Sequence, residues 1–157
     1  MPVPSVVMQL GHRVRRAWWK VRKPTTFGVK ALLIHPDDPS RCLVVRHSYV
    51  DQEWWALPGG GYNPKRETAE EAAVREVAEE LSLPITKQPV VLQVLTTRRE
   101  GKVDNLTIVE AMPTSEHFEL SSELSDARWV STDDLPTDGP VSRWLRLALT
   151  CPRPQRP

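Results

Sequence analysis

Apolar and polar positions along this chain follow two rhythms, one of about two residues and one of about 3.6, and the changes of rhythm mark out its elements. Near the amino terminus Val7, Leu10, Val14, Trp18 and Val21 recur at spacings of 3, 4, 4 and 3, a helical stripe. Arg13, Arg15, Arg16, Lys20, Arg22 and Lys23 fall mostly on the other faces. Pro24 ends the pattern, so residues 1–24 are expected to form a basic amphipathic helix. Its bland reading is a solvated face over a docked stripe; the sharper one is a partner or homodimer contact.

Two β-rich runs follow, Phe27 to His35 and Cys42 to His47, joined by the turn residues of "PDDPS". "WWALPGGGYNPKRE" reads as a short strand and a glycine-rich loop. Thr68 to Leu81 carries the strongest helical signal, opened by a capping box of Thr68 and Glu71. "PVVLQVLTTRR" and "NLTIVEAMP" predict two further strands, with Gly101 at the tip of the hairpin between them. "SEHFELSSELSD" reads as loop, "ARWV" as a short strand and "STDDLP" as a polar turn. Val141, Trp144, Leu145, Ala148 and Leu149 predict a last helix, with Pro140 in its first turn. Residues 152–157, "PRPQRP", are disordered on composition. Helices interleaved with strands and a hairpin make the fold class α/β, a mixed β-sheet sandwiched between α-helices, with residues 25–151 as one domain.

Composition narrows the function classes more than the fold. The chain has 157 residues, 39% hydrophobic and 26% charged, with Lys+Arg 21 against Asp+Glu 20 and a net charge of +1. No global field attracts a nucleic acid or a membrane, so neither is an expected partner. Two cysteines are too few for a disulfide framework, and no apolar run reaches the about 18 residues that span a bilayer. The first residues place their basic side chains after their apolar ones, the reverse of a secretory leader. A cytoplasmic protein whose residue 1 is mature sequence is the expectation.

The candidate chemistry is concentrated in "REVAEE", Arg75 to Glu80. On a helix Glu76, Glu79 and Glu80 share one face, opposite Val74, Val77, Ala78 and Leu81. A solvated acidic face is the plain reading. Against it, like charges at i, i+4 cost about 0.2 to 0.5 kcal/mol per pair, and acids in a last turn oppose the helix dipole by roughly 0.3 to 1 kcal/mol each. Clustered carboxylates are most simply compensated by a hard divalent cation, and magnesium keeps positions open for water and phosphates. The preceding "LPGGG" lets backbone approach such a ligand closely. Glu67 adds a fourth carboxylate, placed either to pair with Arg75 or to reach the metal.

From Gly61 through Glu67 to "REVAEELSL" the chain closely resembles the Nudix box of the Nudix hydrolases (MutT-like). Gly61, Glu67, Arg75, Glu76, Glu79 and Glu80 match in register across Gly61 to Leu83. "WWALPGG" and "DARWVSTDDLP" look like flanking family sequence. Ser82 departs from the pattern, standing at a helix C-terminus where the family usually has glycine. The resemblance implies the Nudix fold and hydrolysis of a nucleotide-type substrate, a nucleoside diphosphate linked to another group. It implies Mg²⁺ or Mn²⁺ as cofactor, held by Glu76, Glu79 and Glu80, with Arg75 orienting the acids through Glu67. Glu79, Glu80, Arg75 and Glu67 are then the catalytic set, and Gly59, Gly60 and Gly61 approach the substrate. Arg46, at a strand end, is a candidate phosphate contact beside a plain surface role.

The general base is either Glu79 or Glu80, or a late-loop carboxylate among Glu116, Glu119 and Glu123. "TTRREGK", beyond the box, carries neither the proline of ADP-ribose hydrolases nor the tyrosine of dinucleoside-polyphosphate hydrolases. Adjacent strand residues point to opposite faces, so at most one of Trp54 and Trp55 faces the site, and core packing is the better reading. His12, His35, His47 and His117 are scattered without metal spacing, and there is no Gly-x-Ser-x-Gly elbow, Walker loop or Rossmann fingerprint. The competing class is a Nudix-fold binding module that acts on a protein or RNA partner through its basic helix without hydrolysis.

Overall fold

The structure, a computed structural model, describes residues 25–48 and 53–155. The expected basic helix over 1–24 lies outside the described residues. In chain order the elements are β1 (Thr25–Leu33), β2 (Arg41–His47), α1 (Ala69–Leu81), β3 (Val90–Arg99), β4 (Lys102–Ala111), β5 (Leu124–Ser131) and α2 (Arg143–Thr150). The mixed sheet and two covering helices of the expected α/β class are present.

β1 is apolar on both faces because both are covered. Val29, Ala31 and Leu33 pack with Ala72, Ala73, Val77 and Leu81 of α1. Leu32, and Ile34 just past the strand end, pack with Leu145 and Ala148 of α2. The two helices therefore lie on opposite sides of the sheet. β1 pairs in parallel with β4, Val29 opposite Thr107 and Ala31 opposite Val109, and β4 pairs antiparallel with β3 across the turn at Glu100 and Gly101. β2 and β5 form a separate antiparallel ribbon.

Several boundaries move, β1 among them, which runs from Thr25 to Leu33. α2 starts at Arg143, capped by the Ser142 side chain, which accepts from the Leu145 amide. Pro140 therefore precedes the helix, and its carbonyl accepts the Trp55 amide at 2.8 Å. β4 starts at Lys102 rather than Asn105, because the tight turn lets pairing with β3 begin at once. β5 includes Leu124 to Asp126, which the sequence reads as loop, since His47 and Arg46 of β2 give those residues a pairing partner. Past α2, Arg153 reaches back to Glu110 at 3.8 Å and to the Pro39 carbonyl at 3.3 Å.

Candidate active site around the glutamates of α1

α1 begins as its sequence dictates. Thr68 accepts from the Glu71 amide and the Glu71 carboxylate accepts from the Thr68 amide, a closed capping box. It ends at Ser82 in the left-handed region, φ 53°, a conformation that costs a residue with a side chain about 1 kcal/mol. No basic residue stands in the last turn to balance the dipole.

The acids do not share one solvated face. Glu76 is 9% and Glu80 2% exposed, and Glu79 is the exposed member. The helix wheel places all of them opposite the apolar stripe, but it cannot show what lies over that side. The segment Pro58 to Gly61 lies there, fixed along the edge of β1 by Val29 N–H to the Gly60 carbonyl and Ala31 N–H to the Pro58 carbonyl, both 2.9 Å. The Gly59 amide donates to Glu80 Oε2 at 3.1 Å. At Gly60 a Cβ would lie 2.6 Å from Glu76 Oε1, so backbone occupies the space beside that carboxylate. Gly59 has φ 142°, and its Cβ would fall 2.1 Å from the Val29 carbonyl oxygen.

Arg75 gathers the exposed side of the cluster. Its Nε and Nη2 donate to the two oxygens of Glu67 at 3.1 and 2.8 Å, a bidentate pair. Its Nη1 donates to Glu76 Oε1 at 2.8 Å and to Glu79 Oε2 at 3.3 Å, and its Nη2 to the Gly61 carbonyl at 3.4 Å. Arg75 thus bridges Glu67 to Glu76 and Glu79. The Arg75 hydrogen bonds hold Glu67 below the usual carboxylate range.

The inner carboxylates behave differently. Burial raises Glu76 in spite of Arg75. Burial pushes Glu80 up to about 7, against the Gly59 amide and the Lys30 charge, which lower it. Lys30 is itself lowered by burial, opposed by Glu80 and Glu76, and its Nζ donates to the Leu57 carbonyl at 3.4 Å. His47 Nδ1 lies 3.8 Å from Glu80 Oε1, but burial and Lys30 hold that imidazole down to about 4, so it is neutral near pH 7. Lys30 and His47 are missed by sequence reasoning. A lysine inside the apolar run "FGVKALLI" was the available signal for the first.

Of the late-loop acids, one is brought to the cluster. Glu116 is spent on His35, Oε2 to Nε2 at 2.7 Å, while the His35 Nδ1 accepts from the amides of Asp37 and Asp38. Glu119 and Ser121 tie the loop to the end of α1 through their amides, to the Leu81 and Glu80 carbonyls at 3.0 and 2.9 Å. Glu123 follows, its carbonyl bonded to the Ser48 amide beside His47 at 2.9 Å, and its charge raises both Glu76 and Glu80.

Arg46 is not brought to this group. It stands on the other face of β2 from Val45, its guanidinium 4.1 Å over the ring of Trp55 and its Nη2 bonded to the Asp138 carbonyl at 2.6 Å. Trp55, on an isolated bridge to Val141 rather than in a strand, is fully buried and Trp54 exposed.

Among the described residues, no three of His, Cys, Asp and Glu stand together as a finished metal site, since Arg75 holds oxygens of Glu76 and Glu79. The donor set nevertheless fits a hard divalent cation. All its atoms are carboxylate oxygens, and burial raises the innermost group, Glu80, in spite of the Lys30 charge.

A family profile described as NUDIX domain matches residues 24–147. No curated protein sequence matches the chain. Among solved structures, the fold is shared with a MutT NUDIX hydrolase from Burkholderia pseudomallei, at 24% identity over 80% of this chain and 96% of that one, TM-score 0.66. A MutT protein from Methanosarcina mazei Go1 agrees at 23% identity over 82% and 92%, TM-score 0.65. The NUDIX domain of Shewanella oneidensis NrtR, complexed with ADP ribose, agrees at 20% over 82% and 87%, TM-score 0.64. Since the profile takes in most of the sequence, with all five strands and α1, this chain belongs to the NUDIX family, the Nudix hydrolases.

Proposed function

We propose that the chain hydrolyses the pyrophosphate bond of a nucleoside diphosphate linked to another moiety, with Mg²⁺ or Mn²⁺ held by Glu76, Glu79 and Glu80. The observation that carries this reading is Glu80, a fully enclosed carboxylate with one amide donor and a pKa near 7, packed beside a second buried acid. When bound, the ion neutralises charge on the diphosphate and lowers the pKa of a water.

The chain's own groups supply the remaining functions. Arg75, clamped by Glu67, holds Glu76 and Glu79 on the exposed side of the cluster. Gly60 keeps a side chain out of the space beside Glu76, the Gly59 amide meets Glu80, and with Gly61 they present backbone to a diphosphate. Glu123 takes the proton of the attacking water. Among the described residues it carries no ion pair, whereas Glu116 does. The water oxygen bonds to phosphorus as the bridging P–O bond breaks, giving two phosphate-ended products. Arg46, held against Trp55, takes no part. The substrate class is supported by fold neighbours described as an ADP-ribose pyrophosphatase from Streptococcus suis and as the ADP-ribose complex of NrtR.

The test is a panel of nucleotides with Mg²⁺, Mn²⁺ or chelator, read as phosphate freed from the products by a coupled phosphatase, for the wild type and Glu79→Gln. Metal-dependent release that falls by about 100-fold or more in the variant, with an unchanged melting temperature, is expected. A variant working at the wild-type rate would remove the metal assignment. No release from the whole panel would favour the binding module.

A further inference from the structure

β3 is the outer strand of the three-stranded sheet, which runs in the order β1, β4, β3. Its register fixes which way each side chain faces. Val91 stands opposite Val109 and Val94 opposite Thr107, the bulge between Val91 and Gln93 keeping both on one side, and Val109 belongs to the cluster packed on α1. α1 lies on β1 and β4. Beyond it Val94 is 63% and Val91 40% exposed, an apolar edge of the kind that proteins ordinarily cover. A groove of about 400 Å³ continues this face, between α1 and the residues that lead into β3. Glu70, Glu71 and Val74 form its α1 wall, and Ile85, Lys87 and Pro89 the other.

Residues 1–24 are the length of chain tethered nearest to this face. Their sequence carries an apolar stripe from Val7 to Val21, which as a helix would span about 21 Å, and six basic residues mostly off that stripe. The segment ends at Thr25, and one row across the sheet joins Thr25, Val103 and Arg98. Two strand spacings, about 10 Å, therefore separate the attachment point from β3. From Arg98 back to Val91 the strand runs about 23 Å in the direction that β1 advances, close to the length of the stripe. Pro24 breaks the helical pattern where the chain has to turn back over the sheet.

We propose that residues 1–24 of the same chain are the occupant of this face, their apolar stripe lying on Val91 and Val94 and their basic side chains reaching Glu70 and Glu71 along the groove. Three matches select this segment over a separate partner. Its stripe has the length of the open strand, its charge is opposite to that of the α1 wall, and its tether holds it at an effective concentration on the order of millimolar. Trp18, in the middle of the stripe, supplies the largest area to bury.

The test is limited trypsin digestion of the whole chain under native conditions, read as the rate of cleavage after Arg13, Arg16 and Lys20, which follows the population of the undocked segment. The wild type is expected to be cut at least about tenfold more slowly than a synthetic peptide of residues 1–24. Val91→Thr with Val94→Thr keeps the β-branched shape and puts hydroxyls where the stripe would lie, so cleavage rises about tenfold or more. Trp18→Ala raises it from the other side of the contact. Because both changes break one interaction, the combined variant is cut within about twofold of the faster of the two. The wild-type comparison stands as a test even if a variant fails to fold. A wild type cut as fast as the peptide, threonine variants cut at the wild-type rate, or effects that multiply in the combined variant overturn the proposal. Protection that is lost on 100-fold dilution, with a scattering mass of two chains, also overturns it and gives the face to a second copy.

Discussion

Gly60 and Glu76 are packed so closely that a methyl group on the glycine would sit 2.6 Å from Glu76 Oε1. The obstacle is the far end of a flexible side chain, so the fold can accept the methyl group by moving the carboxylate. A displaced carboxylate no longer meets Arg75 Nη1 at 2.8 Å, and the site loses its geometry. Gly60→Ala is therefore expected to change stability by less than about 1 kcal/mol and to lower kcat by roughly 100-fold. Gly59→Ala behaves oppositely, because its Cβ meets the Val29 carbonyl at 2.1 Å and φ is 142°. It should cost about 3 kcal/mol or more. Thermal melts and initial rates on the two proteins separate the effects, and a Gly60→Ala enzyme of full activity contradicts them.

Metal and pH act on one side chain, Glu80. In chelator its folded pKa of about 7 lies above the 4.5 of an ordinary glutamate. The folded state then holds a proton that the unfolded chain has lost. This contribution to stability is fully present below pH 4.5 and disappears as pH rises through about 7. Glu80→Gln keeps the amide contact without the charge, so at pH 8 it is expected to melt at or above the wild type in chelator. Saturating Mg²⁺ at 100 times its Kd stabilises the wild type by about 2.7 kcal/mol and leaves Glu80→Gln nearly unmoved. Melting curves with and without the ion decide this; equal shifts in both proteins exclude Glu80 as a ligand.

The late loop offers a direct comparison between two glutamates of the same charge. Glu123 is placed beside Ser48 and acts on both buried acids, whereas Glu116 is occupied by His35. Glu123→Gln should lower kcat by about 100-fold with an unchanged melting temperature. Glu116→Gln should lower the melting temperature and leave kcat within about threefold, since it loses only a charge-assisted hydrogen bond. Reversal of this order moves the proton acceptor out of this loop position.

The sequence made the helix of the acids, its capping box and its strained C-terminal serine legible, because each depends on residues a few positions apart. The pairing of Glu67 with Arg75 was one of two readings the sequence left open, the other being the metal, and the structure shows the contact. Burial of Glu76 and Glu80 was not legible. It comes from Pro58 to Gly61 lying along β1, a pairing between segments about 30 residues apart in sequence that no periodicity encodes. Lys30 and His47 escaped for the same reason, each taking its meaning from an acid on a distant helix. The extent of β5 was missed because Leu124 to Asp126 has the composition of a loop and is a strand through β2 alone.

Arg46 tests how far side-chain type misleads when its surroundings are unknown. An arginine at a strand end suggests a phosphate contact beside a plain surface role. In the fold its guanidinium and that of Arg128 lie 4.1 and 4.2 Å from the ring of Trp55. The indole Nε1 donates to Asp138 Oδ1 at 3.0 Å, and Arg46 Nη2 donates to the Asp138 carbonyl at 2.6 Å. Removing the guanidinium leaves that carbonyl without its donor and one cation fewer on a buried ring. Arg46→Ala is therefore expected to cost about 1–2 kcal/mol of stability and to leave KM and kcat within about twofold. Arg46→Lys should recover little of the loss, since an ammonium cannot both stack flat on the indole and reach the carbonyl. A tenfold rise in KM with an unchanged melting temperature would instead put Arg46 on the substrate, and denaturation curves run beside steady-state rates tell the two apart.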